Sequence, residues 1–199
     1  GWGQAVRLES KLPAGRVADL ATQWRELVGQ AQVSDELQIP GTGLVAFGSF
    51  AFSDASVAPS VLIVPKVILG SRDGRVWLTV VTAPGEQAEP PVDFWNAETS
   101  YPINAPVNFD SGKINPDEFK SLVANAVSKI NSGQVNKVVL ARDIVANLPS
   151  GFDLRGVLQN LANKYPTCWV YSVDGMFGAS PEHLVRVSHG QVSARVLAG

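Results

Sequence analysis

Two residues pair a proton-moving side chain with a neighbourhood that could put it to use. Lys137 opens the apolar run Lys137-Val138-Val139-Leu140-Ala141-Arg142. In an extended strand alternate side chains share a face, so Lys137 lies with Val139 and Ala141, and Val138, Leu140 and Arg142 face the other way. An ammonium beside an apolar or small-residue surface loses hydration, which lowers its pKa and lets the neutral amine act as a base. The alternative is an ordinary solvated lysine at a strand end. Glu182 closes Gly178-Ala179-Ser180-Pro181-Glu182, a tight connection between two strands. Small residues ahead of a carboxylate leave room for a ligand, and the constrained backbone aims the acid. Ser-Pro-Glu is also a common turn or helix-start sequence, and that reading stays open.

The remaining reactive side chains lack the spacing that chemistry needs. His183 and His189 have no metal-ligand spacing to each other or to Cys168, and both read as surface or turn residues. Cys168 stands alone in Cys168-Trp169-Val170-Tyr171, where a buried, inert thiol is expected, and a single cysteine fits a reducing cytoplasm. No Gly-x-Gly-x-x-Gly, Walker loop, Gly-x-Ser-x-Gly elbow or Cys-x-x-Cys is present.

The elements that must position Lys137 and Glu182 follow from periodicity. Val17, Leu20, Trp24, Leu27, Val28 and Ala31 recur at helical spacing and predict a helix over roughly 14–33. Gly43–Phe52 reads as β, and Ser60–Leu69 and Arg75–Val81 flank the turn signal Ser71-Arg72-Asp73-Gly74 as a hairpin, with Pro65 at a bulge or edge. Residues 83–108 hold five prolines and form either the one plausible linker or a segment that wraps the surface of one domain. Asn115-Pro116-Asp117-Glu118 starts a helix whose apolar face is Phe119, Leu122, Val123, Ala126 and Ile130, and Asn131-Ser132-Gly133 ends it. A strand Lys137–Ala146, a helix from about Asp153 to Lys164 and a strand Thr167–Val173 come next. Strands Leu184–Ser188 and Val192–Leu197 then join through His189-Gly190. Hairpins with interspersed helices predict an α+β fold with largely antiparallel sheets. We divide it into a β-rich subregion, 1–108, and the start of a catalytic region, 109–199.

Composition excludes several classes of partner. Sixteen Lys and Arg against eighteen Asp and Glu give a net charge of -2 without runs of like charge, which argues against nucleic acid or an anionic membrane surface. The longest apolar stretches, Gly43–Phe52 and Val61–Leu69, fall short of the ~20 residues of a spanning helix. The first residues, Gly1-Trp2-Gly3-Gln4, have neither the basic start nor the apolar block of a signal peptide, and both ends read as cuts through a larger protein.

Three blocks in order, Asn136–Arg142, Phe177-Gly178-Ala179-Ser180-Pro181-Glu182-His183-Leu184-Val185 and Ala194-Arg195-Val196-Leu197-Ala198-Gly199, resemble the motifs of isochorismate synthases. These enzymes belong to the chorismate-binding family, with anthranilate, aminodeoxychorismate and salicylate synthases. The resemblance is strong over 134–199, weaker through the β sequence up to Val81, where Val45–Phe50 is its best piece, and negligible near the N-terminus. It implies the chorismate-utilising fold, present here only as its N-terminal and central part. Amine-installing relatives carry Gln where this chain has Lys137, so the resemblance implies water as nucleophile. Water adds at C2 of chorismate while the C4 hydroxyl leaves, with Lys137 as base, Glu182 as acid and Mg²⁺ on the substrate carboxylate.

By the same resemblance Leu197, Ala198 and Gly199 line the substrate pocket with their backbone. His183 stands where relatives have Arg or Leu, and Val196 where many have Pro. The family's metal ligands fall beyond residue 199, so a missing C-terminal half or a partner chain is expected to complete the fold, and the fragment alone is expected to be inactive. The resemblance implies isochorismate for menaquinone or siderophore synthesis. A salicylate synthase, which also has Lys there, and a non-catalytic binding or regulatory module are the alternatives.

Overall fold

A computed structural model describes residues 1–89 and 106–194. Over these described residues it is an α+β structure of three helices and small antiparallel sheets, as the alternation of patterns predicts. The chain divides into two compact units, Gly1–Thr99 with Leu158–Gly199, and Ser100–Val157.

The first unit is built on a three-stranded sheet in the order β1 (Val6–Ser10), β3 (Ser60–Val64), β2 (Phe47–Ser49). Val6-Arg7-Leu8-Glu9-Ser10 alternates in the strand period and pairs antiparallel from Val6 against Val64 to Ser10 against Ser60. β3 is the central strand of this sheet, and its Val61 and Val64 are fully buried. Helix α1 (Arg16–Gln30) lies against β1 and β3 and adds Leu20 to this core. Its first residue, Arg16, is buried where a cation opposes the helix dipole. Four backbone carbonyls accept from its guanidinium: Leu12 at 2.5 Å, Ser56 at 2.8 Å, Ala58 at 2.9 Å and Asp54 at 3.3 Å. The charge is thereby hydrogen-bonded, as a buried charge must be, and it holds the 54–58 loop to the helix start.

Pro65 changes the expected hairpin. Lacking an N–H, it ends β3, and Ser60–Leu69 splits into β3 and β4 (Val67–Arg72), which belongs to a separate ladder with β5 (Arg75–Val80). The hairpin itself is as predicted, with Asp73 and Gly74 at φ 51° and 77°, both positive as a type I′ turn requires. The Trp77 indole covers Gly70, where a Cβ would sit 2.1 Å from the ring, and its Nε1 donates to the Gly41 carbonyl at 3.2 Å.

The hairpin β8 (Trp169–Val173) and β9 (Met176–Ser180) turns at Asp174-Gly175, and β10 (Arg186–Ser188) pairs with β11 (Gln191–Ser193) across His189-Gly190. Both turns have two successive positive φ values, again the type I′ pattern. Arg7 of β1 makes a bidentate pair with Asp174, Nη1–Oδ1 2.5 Å and Nη2–Oδ2 3.1 Å, tying residues far apart in the chain.

In the second unit β6 (Asn108–Ser111) pairs with β7 (Ile144–Asn147), and helix α2 (Pro116–Asn131) lies between them in sequence. Its start is the predicted capping box. The Asn115 side chain accepts from the Asp117 and Glu118 N–H groups at 3.0 Å, and the Glu118 carboxylate accepts from the Asn115 N–H at 2.9 Å. Asp143 folds onto Gly112 and accepts from the Lys113 N–H at 3.0 Å. Helix α3 (Leu154–Lys164) begins at Asp153, whose carboxylate accepts from the Arg155 N–H at 2.8 Å.

The predicted strand Lys137–Ala146 is a correction: only Ile144–Asn147 is paired, and 137–143 joins no ladder. A strand exists through its partners, and no described strand runs beside this stretch. Val139 is accordingly 82% exposed, and no residue of α2 is buried. No helix among the described residues is long and apolar enough to cross a membrane.

Candidate active site

Lys137 is delivered by the C-terminus of α2. Gly133, at φ 74°, takes the left-handed conformation that ends the helix, and the N–H groups of Gly133 and Gln134 donate to the Ile130 and Lys129 carbonyls at 3.0 Å. The chain then continues outside any helix or strand through Lys137, which is exposed and belongs to the second unit. Glu182 belongs to the first unit and is exposed as well. The described residues therefore do not supply the desolvation that an acid–base pair calls for.

Glu182 follows β9, and the expected loop Gly178–Glu182 is shorter than predicted. Gly178, Ala179 and Ser180 are strand residues opposite Tyr171, Val170 and Trp169. The smallness of Gly178 has a partner already: a Cβ there would lie 2.8 Å from the Tyr171 hydroxyl. It makes room for an aromatic side chain rather than for a ligand. Pro181 then ends the ladder. The Ser180 hydroxyl donates to the Glu182 carbonyl at 3.1 Å and accepts from the Glu182 N–H at 3.4 Å, closing a tight loop around the backbone of the acid.

His183, read from sequence as a surface residue, stacks on Trp169, with ring centroids 3.6 Å apart and planes tilted by 44°. The signal for it was the strand pairing, since Trp169 faces Ser180 and so stands three residues from His183 across the end of the hairpin. Cys168, expected to be buried, is half-buried in the turn before β8. Leu197, Ala198 and Gly199 lie outside the described residues. Among the described residues no group of three or more His, Cys, Asp or Glu could hold a metal ion.

The displaced titrations sit at structural ties. Hydrogen bonds from Arg7 hold the Asp174 carboxyl below the usual carboxylate range. Those from Lys11 and then Arg7 do the same for Glu9. The Thr42 hydroxyl, at 2.6 Å, and the Gln38 N–H lower Asp35, and Arg155 lowers Asp153. Asp174 and Asp35 lie in turns or loops, Asp153 at a helix start and Glu9 in β1, so these groups serve the fold, as structural hydrogen bonds and ion pairs do.

An α+β chain with a lysine after one helix and a glutamate after a tight hairpin is matched over residues 1–199 by the family model described as chorismate binding enzyme, and the chain belongs to that family. It is 26% identical over 220 residues to the isochorismate synthase MenF of Bacillus subtilis (strain 168), a match covering 98% of this chain and 47% of that protein. The chain thus spans about half the length of this curated relative. No solved structure matches.

Proposed function

We propose that this chain carries the acid and base of an isochorismate synthase, the activity named for its MenF relative. The observation that carries the reading is Lys137 in the motif Asn136–Arg142, within a family match that covers the whole chain. Lys137 takes a proton from the water that adds at C2 of chorismate. Glu182 gives a proton to the C4 hydroxyl, which departs as water, so one hydroxyl is gained and one lost. Each transfer contributes about 10²–10⁴-fold. Leu197, Ala198 and Gly199 are proposed to line the substrate pocket.

Among the described residues no group of three or more His, Cys, Asp or Glu could hold a metal ion, and no step here passes through Mg²⁺. Its ligands are assigned to the part of the enzyme that the MenF match leaves uncovered. That same part is proposed to cover the exposed apolar residues of α2 and of 138–140, and to supply the desolvation that Lys137 and Glu182 need. By this reading the 199-residue chain alone is inactive. The product serves menaquinone or siderophore synthesis, in the cytoplasm.

The test is the full-length protein with chorismate and saturating Mg²⁺. Lys137→Gln keeps the reach and polarity of the side chain but cannot accept the proton, and should lower isochorismate formation by at least ~10²-fold with a much smaller change in KM. Glu182→Gln should lose the forward reaction for the complementary reason. Near-normal turnover by a folded Lys137→Gln enzyme would overturn the reading. Salicylate fluorescence from the unaltered protein would replace isochorismate synthase with salicylate synthase.

A further inference from the structure

We infer that His183, stacked on Trp169, is a positioning residue that holds Glu182 in its working orientation. The inference rests on the assignment of Glu182 as the acid. A general acid must stay within hydrogen-bond reach of the leaving oxygen, and a displacement of 1 Å can cost about 10²-fold. Glu182 stands on the connection between β9 and β10, where the backbone has left one ladder and not yet joined the next.

Two anchors flank it. On the N-terminal side the Ser180 hydroxyl closes on both the N–H and the carbonyl of Glu182. On the C-terminal side His183 is the one half-buried residue of the segment 181–185, and its ring lies against Trp169. Leu184 and Val185 are 92% and 51% exposed and give no comparable hold. The backbone of Trp169 is held by its pairing with Ser180, so both anchors trace to the same rung of the β8–β9 ladder. The acid is thus clamped from two sides to one rigid point, which is how a loop residue acquires strand-like precision. The stacking depends on a flat ring rather than on the imidazole nitrogens, so an aromatic substitute should preserve it.

The experiment uses the full-length enzyme with chorismate. His183→Ala should lower kcat by about 10-fold or more and leave KM within about threefold, since the loss falls on the reacting geometry and not on substrate binding. His183→Phe should keep kcat within about threefold of the parent, a rescue that an acid–base role of the imidazole would not show. Trp169→Ala should match His183→Ala, and the double variant should be no worse than either single one, as expected for a pair acting through one contact. If His183→Ala does not fold by circular dichroism, His183→Gln takes its place. Wild-type kcat in the variant lacking the ring, an equal fall in His183→Phe, or additive losses in the double variant would each overturn the inference. Glu182→Gln, assayed alongside, separates the two claims. If it remains active, the acid assignment fails. If it is inactive while His183→Ala turns over normally, only the positioning role fails.

Discussion

The sheet β1-β3-β2 with α1, and the pair β6–β7 with α2, are assembled from the same kinds of local signal and differ in what they bury. The first encloses Leu20, Val61 and Val64 almost completely. The second has a full capping box, a left-handed glycine ending its helix and an antiparallel ladder, yet no residue of α2, β6 or β7 is buried. Caps and turns are satisfied within a few residues of where they are encoded. Burial needs a second surface, which α1 gives to β1 and β3, whereas the apolar stripe of Leu122, Val123, Val127 and Ile130 on α2 remains exposed. Secondary structure and core are therefore separable in this chain.

The largest test of that difference is a pair of truncations. Leu20→Ala removes a side chain that is 1% exposed and should destabilise the first unit by about 2–5 kcal/mol. Val139→Ala, at a position 82% exposed, should change the stability of the 199-residue chain by less than about 0.5 kcal/mol. Urea unfolding of both variants gives the two values. Equal losses would abolish the contrast. In the full-length protein Val139→Ala should become costlier, because the covering proposed above would turn an exposed valine into a buried one.

Of intermediate size is the cap. Asn115→Ala leaves the Asp117 and Glu118 N–H groups without their side-chain acceptor, and should cost about 0.5–2 kcal/mol. Helical circular dichroism of the 199-residue chain during thermal unfolding would report it. A loss near zero would mean that α2 is held by something other than its own ends, against the picture of a locally encoded helix.

What was legible in the sequence divides along the same line. The Asn115 cap, the Gly133 stop, and the turns at Asp73-Gly74 and His189-Gly190 are each specified by one or two residues with a particular φ or acceptor, and all are found where predicted. The strand Val6–Ser10 was not predicted from the sequence, because a five-residue alternation gains weight only once β3 is known to lie beside it. Lys137–Arg142 carries strong β composition and no ladder, because composition states a preference and a partner must satisfy it. Of the candidate site, Lys137 and Glu182 stand out by type and motif, whereas His183 on Trp169 is a contact between hairpin ends that no local pattern announces. The room predicted around Gly178 was real, but the Tyr171 ring takes it.

The smallest expected effect concerns the tie between Arg7 and Asp174. Asp174 occupies the first turn position of β8–β9 at φ 51°, a conformation that Asn also tolerates, and Gly175 follows at 81°. Asp174→Asn therefore keeps the turn and removes only the charge facing Arg7. The hydrogen bonds from Arg7 hold the folded Asp174 carboxyl below its ordinary value of about 4, so the pair favours the folded state wherever the unfolded carboxylate is ionised. That contribution is present above about pH 4 and is lost as pH falls through the depressed folded value. Glu9, lowered by Lys11 and Arg7, acts in the same direction and over the same acid range. The side chains of Arg7 and Asp174 are 30% and 33% exposed, so salt should weaken the tie. The variant should be slightly less stable than the parent at pH 7 in low salt, with the difference shrinking toward pH 3 and again in 1 M NaCl. Thermal unfolding at the two pH values and two salt concentrations reads all four arms. A difference that persisted unchanged at pH 3 would assign the effect to the turn itself, and the link between β1 and the hairpin that carries Trp169 would then owe nothing to charge.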